Sequence, residues 1–274
     1  MVDNIAFNFN MTSNQIEILM STGVFDGVIN LGKSDDDELN IKTLNIKLSL
    51  TDADKLKFIR SFPEVTEEER TIAKKFLEDY IHSDIIRTDK IVKEQCSMLS
   101  KIPYAAFVGL TGIDYFDSEI TYSRDHGYYG KLNEYLFTGK LPNCSKGKDD
   151  EFFGEMKTMN SNNSGVLTDM EVCSYSTLDL SSFEKSDIHK KIESGITIFA
   201  MESYKSCRRL IRLYYLDTKP NSFLHQEFVS DFEIGKLNSY NTYLKKGTKN
   251  SGKTSTVKIP KEIINEYAQL IHSF

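Results

Sequence analysis

Apolar residues recur at helical spacing in the first hundred residues of the chain. Thr66 followed by Glu69 is typical of a capping box, and the helix that it opens places four apolar side chains on one side: Ile72, Phe76, Tyr80 and Ile81. The same spacing predicts shorter helices over residues 14–20 and 55–62. The sequence therefore predicts a helical N-terminal region, residues 1–100.

Two further helical patterns occur later in the chain. The longest runs from Asp187 to Tyr214, although Gly195 weakens it. The other, Lys261 to His272, predicts a C-terminal amphipathic helix.

Strand-like patterns with β-branched and aromatic residues occupy much of the remaining sequence. They predict strands over Ala105 to Ile113, Glu119 to Arg124, Gly165 to Tyr175 and Asn221 to Ser230. The predicted fold class is α+β: a mixed β core with a C-terminal helix, residues 101–274, preceded by the helical region.

Composition limits the possible function classes. The 274 residues carry 34 Lys and Arg against 40 Asp and Glu, a net charge of −6. An acidic chain argues against a dedicated nucleic-acid binder, because phosphate contacts need clustered basic residues. No apolar run approaches the length of a membrane span, so we expect neither nucleic acid nor a membrane span, and we expect a monomer.

The sequence offers little support for metal or cysteine chemistry. The four cysteines are far apart and form no C-x-x-C pair, and the five histidines form no recognisable ligand pair. We therefore predict no metal site and a reducing compartment. A cysteine-dependent enzyme stays an alternative, because its partner residues need only meet in space.

Gly247 to Thr254 matches the phosphate-binding loop pattern G-x-x-x-x-G-K-[ST]. A nucleotide-binding domain would need a long helix after this loop and further strands beyond it. Pro260 follows closely, and too few residues remain for such a domain. We interpret the segment as a basic surface loop.

Two segments combine residues suited to NAD⁺. The first, Tyr122 to Gly130, contains Arg124, His126, Tyr128 and Tyr129, and the second, Phe223 to Glu227, ends in a carboxylate. An arginine can pair with the pyrophosphate, aromatic rings can stack on nicotinamide, and a carboxylate can stabilise an oxocarbenium-like centre. The alternative is structural: buried tyrosines, a surface Arg124 and a solvent-facing Glu227.

Several short segments, in order along residues 65–235, resemble landmarks of the OspC-like type III secreted effectors, the arginine ADP-riboxanases. They are Ser83–Arg87, Ala106–Leu110, Ser123–Gly130, Ser186–Ile188, Ser194–Phe199 and Phe223–Glu227. The resemblance implies an ADP-ribosyltransferase-like fold, with NAD⁺ as co-substrate and a host protein as the acceptor. The Asp125–His126 pair departs from the aromatic residue that precedes the family's glycine, and the family's ankyrin repeats have no counterpart here.

The resemblance also implies roles for individual residues. Glu227 and His126 would be catalytic, while Arg124, Ser123, Tyr128 and Tyr129 would bind NAD⁺. With an N-terminus rich in Asn, Ser and Thr, the expectation is a bacterial effector or toxin that is secreted and acts in the host cytosol. The alternative function is a non-enzymatic effector or viral protein that binds a host partner.

Overall fold

The computed structural model describes residues 4–7, 29–33, 39–47, 65–81, 85–107, 110–111, 128–140, 149–161, 165–175, 181–202, 209–233, 237–249 and 254–274. Their elements are ten strands, six α-helices and one 3₁₀ helix, which confirms the α+β class. Within this part of the chain, no helix combines the length and apolar character needed to cross a membrane.

The front of the chain is not helical throughout, contrary to the prediction for residues 1–100. Before residue 65, its described residues form three antiparallel strands: β1 (Asn4–Phe7), β2 (Ile29–Lys33) and β3 (Leu39–Lys47). They make one sheet in the order β1-β3-β2. Alternation of Leu39, Ile41 and other apolar residues with polar ones along β3 favours a strand. The helices predicted over residues 14–20 and 55–62 lie outside the described residues.

Helix α1 (Glu67–Tyr80) begins where its sequence predicts. The Thr66 hydroxyl accepts a hydrogen bond from the Glu69 backbone N–H at 3.1 Å, and the Glu69 carboxylate accepts one from the Thr66 backbone N–H at 3.0 Å. Helix α2 (Asp89–Leu99) follows, and its N-cap Thr88 bonds Ile91 N. The next segment, predicted to be a strand, begins with a buried 3₁₀ helix, Tyr104–Phe107.

A four-stranded mixed sheet organises the rest of the fold. Its strands are β4 (Glu155–Ser161), β6 (Ile196–Glu202), β7 (Leu210–Leu216) and β10 (Gln269–Ser273), in the order β10-β7-β6-β4. β4 runs parallel to β6, and the other two pairs are antiparallel. β10 occupies the end of the predicted C-terminal helix, so helix α6 (Lys261–Tyr267) is shorter than predicted.

Central strand β6 is buried on both faces, because a core lies on each side of the sheet. Phe199 and Met201 pack with residues of α1, α2 and α3 (Tyr128–Thr138). Ile198 and Ala200 pack in a second core with residues of three later elements: β5 (Met170–Ser174), α4 (Asp187–Ile192) and α5 (Phe223–Glu233). The centre of the sheet is thus enclosed from both sides, whereas edge strand β10 is mostly exposed.

The long helix predicted over Asp187 to Tyr214 is wrong. α4 ends before Gly195, whose φ of +88° a helix cannot accommodate, and β6 and β7 then form an antiparallel pair. An apolar strand buried on both faces shows no period-2 alternation, so its sequence pattern is compatible with a helix as well.

The strand predicted over Asn221 to Ser230 is also wrong, because this segment forms α5. The Ser222 hydroxyl accepts a hydrogen bond from His225 N at 3.2 Å, as a helix cap does. Leu224, Phe228 and Phe232 recur every four residues and are buried on one side. The last two strands, β8 (Lys245–Lys249) and β9 (Thr254–Ile259), make an antiparallel sheet with β5 in the order β5-β9-β8.

Candidate active site

The structure describes only three of the six residues predicted from the sequence to form an NAD⁺ site: Tyr128, Tyr129 and Glu227. Ser123, Arg124 and His126 lie outside the described residues, as does the strand predicted around them. Tyr128 opens α3. Tyr129 packs in the first core, where it is 8% exposed and its ring centroid lies 6.1 Å from that of Tyr104.

Glu227 is half-buried and lies on helix α5, where a strand was predicted. His225, which belongs to the same predicted segment, is only two residues from Glu227, and residues at that spacing do not share a helix face. Glu227 and His225 therefore do not form one site on α5.

His225 instead meets His189 of α4, with ring centroids 5.6 Å apart. Burial lowers the pKa of His225, and neighbouring His189 lowers it further, whereas Glu184 opposes both effects. His189 Nδ1 and His225 Nε2 are buried and have no hydrogen-bond partner among the residues described. Because Phe183 packs against both rings, the pair belongs largely to the second core.

A group of charged side chains surrounds the start of β4. Glu155 and Lys157 are two residues apart on this strand, so both project from the same face. Lys157 Nζ lies 2.6 Å from Glu155 Oε1, and Lys191 Nζ of α4 lies 3.3 Å from the same oxygen. Glu155 is 1% exposed, whereas the two lysine side chains keep 21% and 22% of their surface exposed. A fully buried carboxylate thus lies under two accessible ammonium groups.

A tight turn at two glycines brings these residues together. Gly154 has φ +69°, and a Cβ there would lie 2.4 Å from the Gly195 carbonyl oxygen. The same oxygen accepts a hydrogen bond from Glu155 N at 3.0 Å. The start of β4 is therefore held against the segment between α4 and β6, close to Lys191.

Asp149 and Glu134 add two more carboxylates. Asp149 Oδ2 accepts a hydrogen bond from Met156 N at 2.7 Å, which folds the preceding loop back onto β4. Burial raises the pKa of Asp149, and the Glu155 carboxylate raises it further. Burial, with Asp149 and Glu155, raises the pKa of Glu134 to about 7, while Lys157 and Lys191 act in the opposite direction.

Hydrogen bonds from the adjacent residue, Asn133, fix the helix that carries Glu134. The Asn133 amide nitrogen donates to Thr158 Oγ1 on β4 at 2.7 Å, and its oxygen accepts from the Tyr104 hydroxyl at 2.6 Å. Asn133 is 1% exposed, so these bonds are shielded from water. They fix helix α3 against β4.

One lysine of this group, Lys191, is stabilised in its charged form. Burial disfavours that charge and is the largest single effect, but the carboxylates of Glu155 and Asp149 together outweigh it, and the pKa of Lys191 is raised. We call the five residues Glu134, Asp149, Glu155, Lys157 and Lys191 the carboxylate–lysine cluster.

One oxygen of the cluster lacks a partner. Glu155 Oε2 is buried and forms no hydrogen bond with any residue in the described ranges. A buried anionic oxygen in this state is costly unless a cation or a donor occupies the site. No three or more His, Cys, Asp or Glu side chains converge as a metal-binding group among the described residues. Mg²⁺ does not require such a cage, because one or two carboxylates with waters and substrate phosphates usually hold it.

Sequence reasoning missed this cluster. Its signal was the acidic pair Asp149–Asp150 after a turn-rich segment, followed by a glycine and Glu155-x-Lys157. Glu134 and Lys191 come from separate helices, and only the fold brings them to β4.

Two other chemistries fit the structure poorly. Burial raises the pKa of the Cys96 thiol, and that of Cys173 is raised to about 11, so neither described cysteine is a thiolate near neutral pH. Thr254 begins strand β9 rather than a helix, so the segment from Gly247 to Thr254 cannot act as a phosphate-binding loop, and its described residues are hairpin strands.

Comparison with known proteins gives no independent assignment for these residues. No protein-family model and no curated protein matches the chain.

Proposed function

We propose that the protein is a divalent-metal-dependent phosphodiesterase that hydrolyses nucleic acid at the carboxylate–lysine cluster. The observation that carries this proposal is the buried Glu155 carboxylate, which has one oxygen between two lysines and one oxygen without a partner. Carboxylates beside lysines supply what hydrolysis of a phosphodiester needs: a site for a hard cation, positive charge for the phosphate, and a proton acceptor.

Asp149 and Glu155 would hold Mg²⁺, because the hydrogen bond from Met156 N draws the Asp149 carboxylate to the start of β4 and Glu155 Oε2 has no partner among the described residues. When bound, Mg²⁺ would lower the pKa of a bound water and neutralise charge on the phosphate. The residues fit this ion better than a soft metal, since the ligands are oxygens alone.

Lys157 and Lys191 would stabilise the phosphate as its charge increases in the transition state. Both ammonium groups are fixed by Glu155 and are still partly exposed, so a phosphate oxygen can approach them. Preorganised charge of this kind is usually the largest contribution to catalysis.

Glu134 suits the role of general base, because a pKa of about 7 matches the working pH of such a group. It would accept a proton from the attacking water. The water oxygen forms a bond to phosphorus, the bond from phosphorus to the leaving sugar oxygen breaks, and solvent protonates that oxygen.

The test is incubation of the protein with end-labelled duplex DNA and MgCl₂, followed by gel electrophoresis. We expect cleavage by the wild type and a loss of at least about 100-fold for Glu155→Gln. Glu78→Gln, at an exposed position on α1, is the matched control and should cut at the wild-type rate. Absence of cleavage of both DNA and RNA with Mg²⁺ or Mn²⁺ would exclude the proposal.

ADP-ribose transfer from NAD⁺ to a host protein is the second candidate. Its support is the ordered set of sequence landmarks, together with a Glu227 side chain that remains partly exposed on α5. It predicts labelling of a lysate protein from labelled NAD⁺ that Glu227→Ala abolishes and Glu155→Gln does not. The phosphodiesterase proposal predicts the reverse dependence, for DNA cleavage.

A further inference from the structure

Two histidines from different helices, His189 of α4 and His225 of α5, lie side by side. Each is three residues after a serine that caps the start of its helix. Ser186 Oγ accepts a hydrogen bond from His189 N at 3.2 Å, and Ser222 Oγ accepts one from His225 N at 3.2 Å. Both rings therefore project from the first turn of a helix whose start is fixed by a side chain.

One nitrogen of each ring is unsatisfied. His189 Nδ1 and His225 Nε2 are buried, and neither has a hydrogen-bond partner in the part of the chain that the structure describes. A buried polar atom in this state costs free energy, and native structures usually supply a donor, a water or an ion for it. Two such nitrogens on adjacent rings are what a shared ligand would satisfy.

The other ring nitrogen of His189 is already engaged. His189 Nε2 lies 3.4 Å from Glu193 Oε2, one helical turn further along α4. With its hydrogen donated to this carboxylate, the neutral ring carries its free lone pair on Nδ1. Histidines that bind a metal almost always donate their second N–H to a carboxylate, a carbonyl or a water in this way. Glu193 therefore orients His189 so that the unsatisfied nitrogen is the one able to bind a metal.

The separation of the two rings fits one metal ion between them. A zinc ion lies about 2.0–2.1 Å from each histidine nitrogen, and the nitrogen is about 1.1 Å from its ring centroid. An ion bound to both rings at an angle of about 110–120° would thus hold the centroids about 5–6 Å apart. The centroids of His189 and His225 are 5.6 Å apart.

The surroundings favour neutral rings and a bound cation. Burial lowers the pKa of His225 and His189 lowers it further, so His225 is neutral at neutral pH, the form that binds metals. Phe183 packs against both rings, with centroid distances of 5.5 Å to each. The carboxylates of Glu184 and Glu193 add negative charge beside the rings. The His189 side chain keeps 16% of its surface exposed, which leaves a path for an ion.

We propose that His189 Nδ1 and His225 Nε2 together bind one Zn²⁺ ion, which joins α4 to α5 and completes its coordination with water. Imidazole nitrogens suit Zn²⁺, whereas Mg²⁺ prefers oxygen ligands. The two histidines do not belong to the carboxylate–lysine cluster. This zinc site is therefore independent of the proposed phosphodiesterase function.

The test is isothermal titration calorimetry, in which ZnCl₂ is added near neutral pH to the full chain after EDTA treatment and dialysis. We expect the wild type to bind one ion at this site. Loss of a supporting carboxylate typically costs 10–100-fold in metal affinity, so Glu193→Gln should weaken binding by about 10-fold. His189→Gln and His225→Gln each remove a ligand and should weaken it by at least about 100-fold.

Two control variants locate the ion. His272→Gln changes another half-buried histidine, on β10, and should bind zinc as the wild type does. Glu155→Gln removes the central carboxylate of the carboxylate–lysine cluster and should leave this zinc affinity unchanged. ZnCl₂ should also raise the melting temperature of the wild type but not that of His225→Gln, because a ligand of the folded state stabilises it.

The outcomes decide the proposal without reference to DNA cleavage. A wild type that binds no zinc, or histidine variants that bind it with wild-type affinity, would overturn it. Loss of binding in Glu155→Gln but not in the histidine variants would place the ion in the carboxylate–lysine cluster and would overturn it as well. If a histidine variant does not fold, Glu193→Gln decides, because it changes an exposed side chain; wild-type affinity in that variant would contradict the proposal.

Discussion

Replacing Glu134 by glutamine should stabilise the protein at alkaline pH while it removes activity. The structure raises the pKa of Glu134 from 4.5 to about 7 because the carboxylate is partly desolvated and lies near Asp149 and Glu155. Between these two pH values the folded state holds a proton that the unfolded state releases. The free energy of unfolding of the wild type therefore falls as pH rises from 4.5 to 7, and the loss is complete above 7.

The full shift would correspond to about 3.4 kcal/mol, at 1.36 kcal/mol for each pH unit. The side chain is only partly buried, so screening by solvent reduces this to about 1–3 kcal/mol. Glutamine cannot ionise and mimics the protonated acid. Glu134→Gln should thus raise the free energy of unfolding by about 1–3 kcal/mol at pH 8 and change it little at pH 4.5.

Urea denaturation at pH 4.5 and pH 8, monitored by circular dichroism, measures this difference. Glu78→Gln, an exposed control on α1, should change the free energy by less than about 0.5 kcal/mol at both pH values. A Glu134→Gln variant that is less stable than the wild type at pH 8, or that is equally stabilised at both pH values, would refute the reasoning.

Three further predictions follow from backbone, packing and titration. Gly195→Ala should destabilise the protein by about 2–4 kcal/mol, because φ is +88° and a Cβ would lie 2.1 Å from the Tyr215 hydroxyl oxygen. Gly130→Ala should stabilise the protein by about 0.5–1 kcal/mol, because the space around its Cβ in α3 is open. Thermal melting measures both changes. Asn133→Ala should cost about 2–3 kcal/mol and slow DNA cleavage, because the buried Tyr104 hydroxyl and the half-buried Thr158 hydroxyl each lose a hydrogen bond and α3 loses its anchor. An unchanged urea midpoint would contradict this. The lowered pKa of His225 means that this residue's contribution to stability is fully present above pH 6.5 and is lost below it, because the unfolded state binds a proton first. His225→Gln should remove this contribution, so that the variant loses less stability than the wild type between pH 8 and pH 5 in thermal melts.

Local signals in the sequence were enough to place elements whose ends are fixed locally. The Thr66–Glu69 capping box correctly predicted the start of α1, because both of its hydrogen bonds form within one turn. The strand predicted over Asn221 to Ser230 is wrong, because aromatic and β-branched residues favour a strand, whereas the burial of every fourth residue along helix α5 depends on packing in the second core.

The candidate site could not be derived from spacing alone. Glu155 and Lys157 are adjacent on one strand face and are visible in the sequence, whereas Glu134 and Lys191 reach them only through the packing of α3 and α4 on the sheet.

The most direct test of the proposed function is the rate of duplex DNA hydrolysis at increasing MgCl₂, measured for the wild type and for Glu155→Gln. The wild type should be inactive in EDTA and should reach a plateau as Mg²⁺ saturates, while Glu155→Gln should stay at least about 100-fold slower at every concentration. Hydrolysis by Glu155→Gln at the wild-type rate, or a wild-type rate that does not depend on Mg²⁺, would contradict the proposal that the carboxylate–lysine cluster is a metal-dependent phosphodiesterase site.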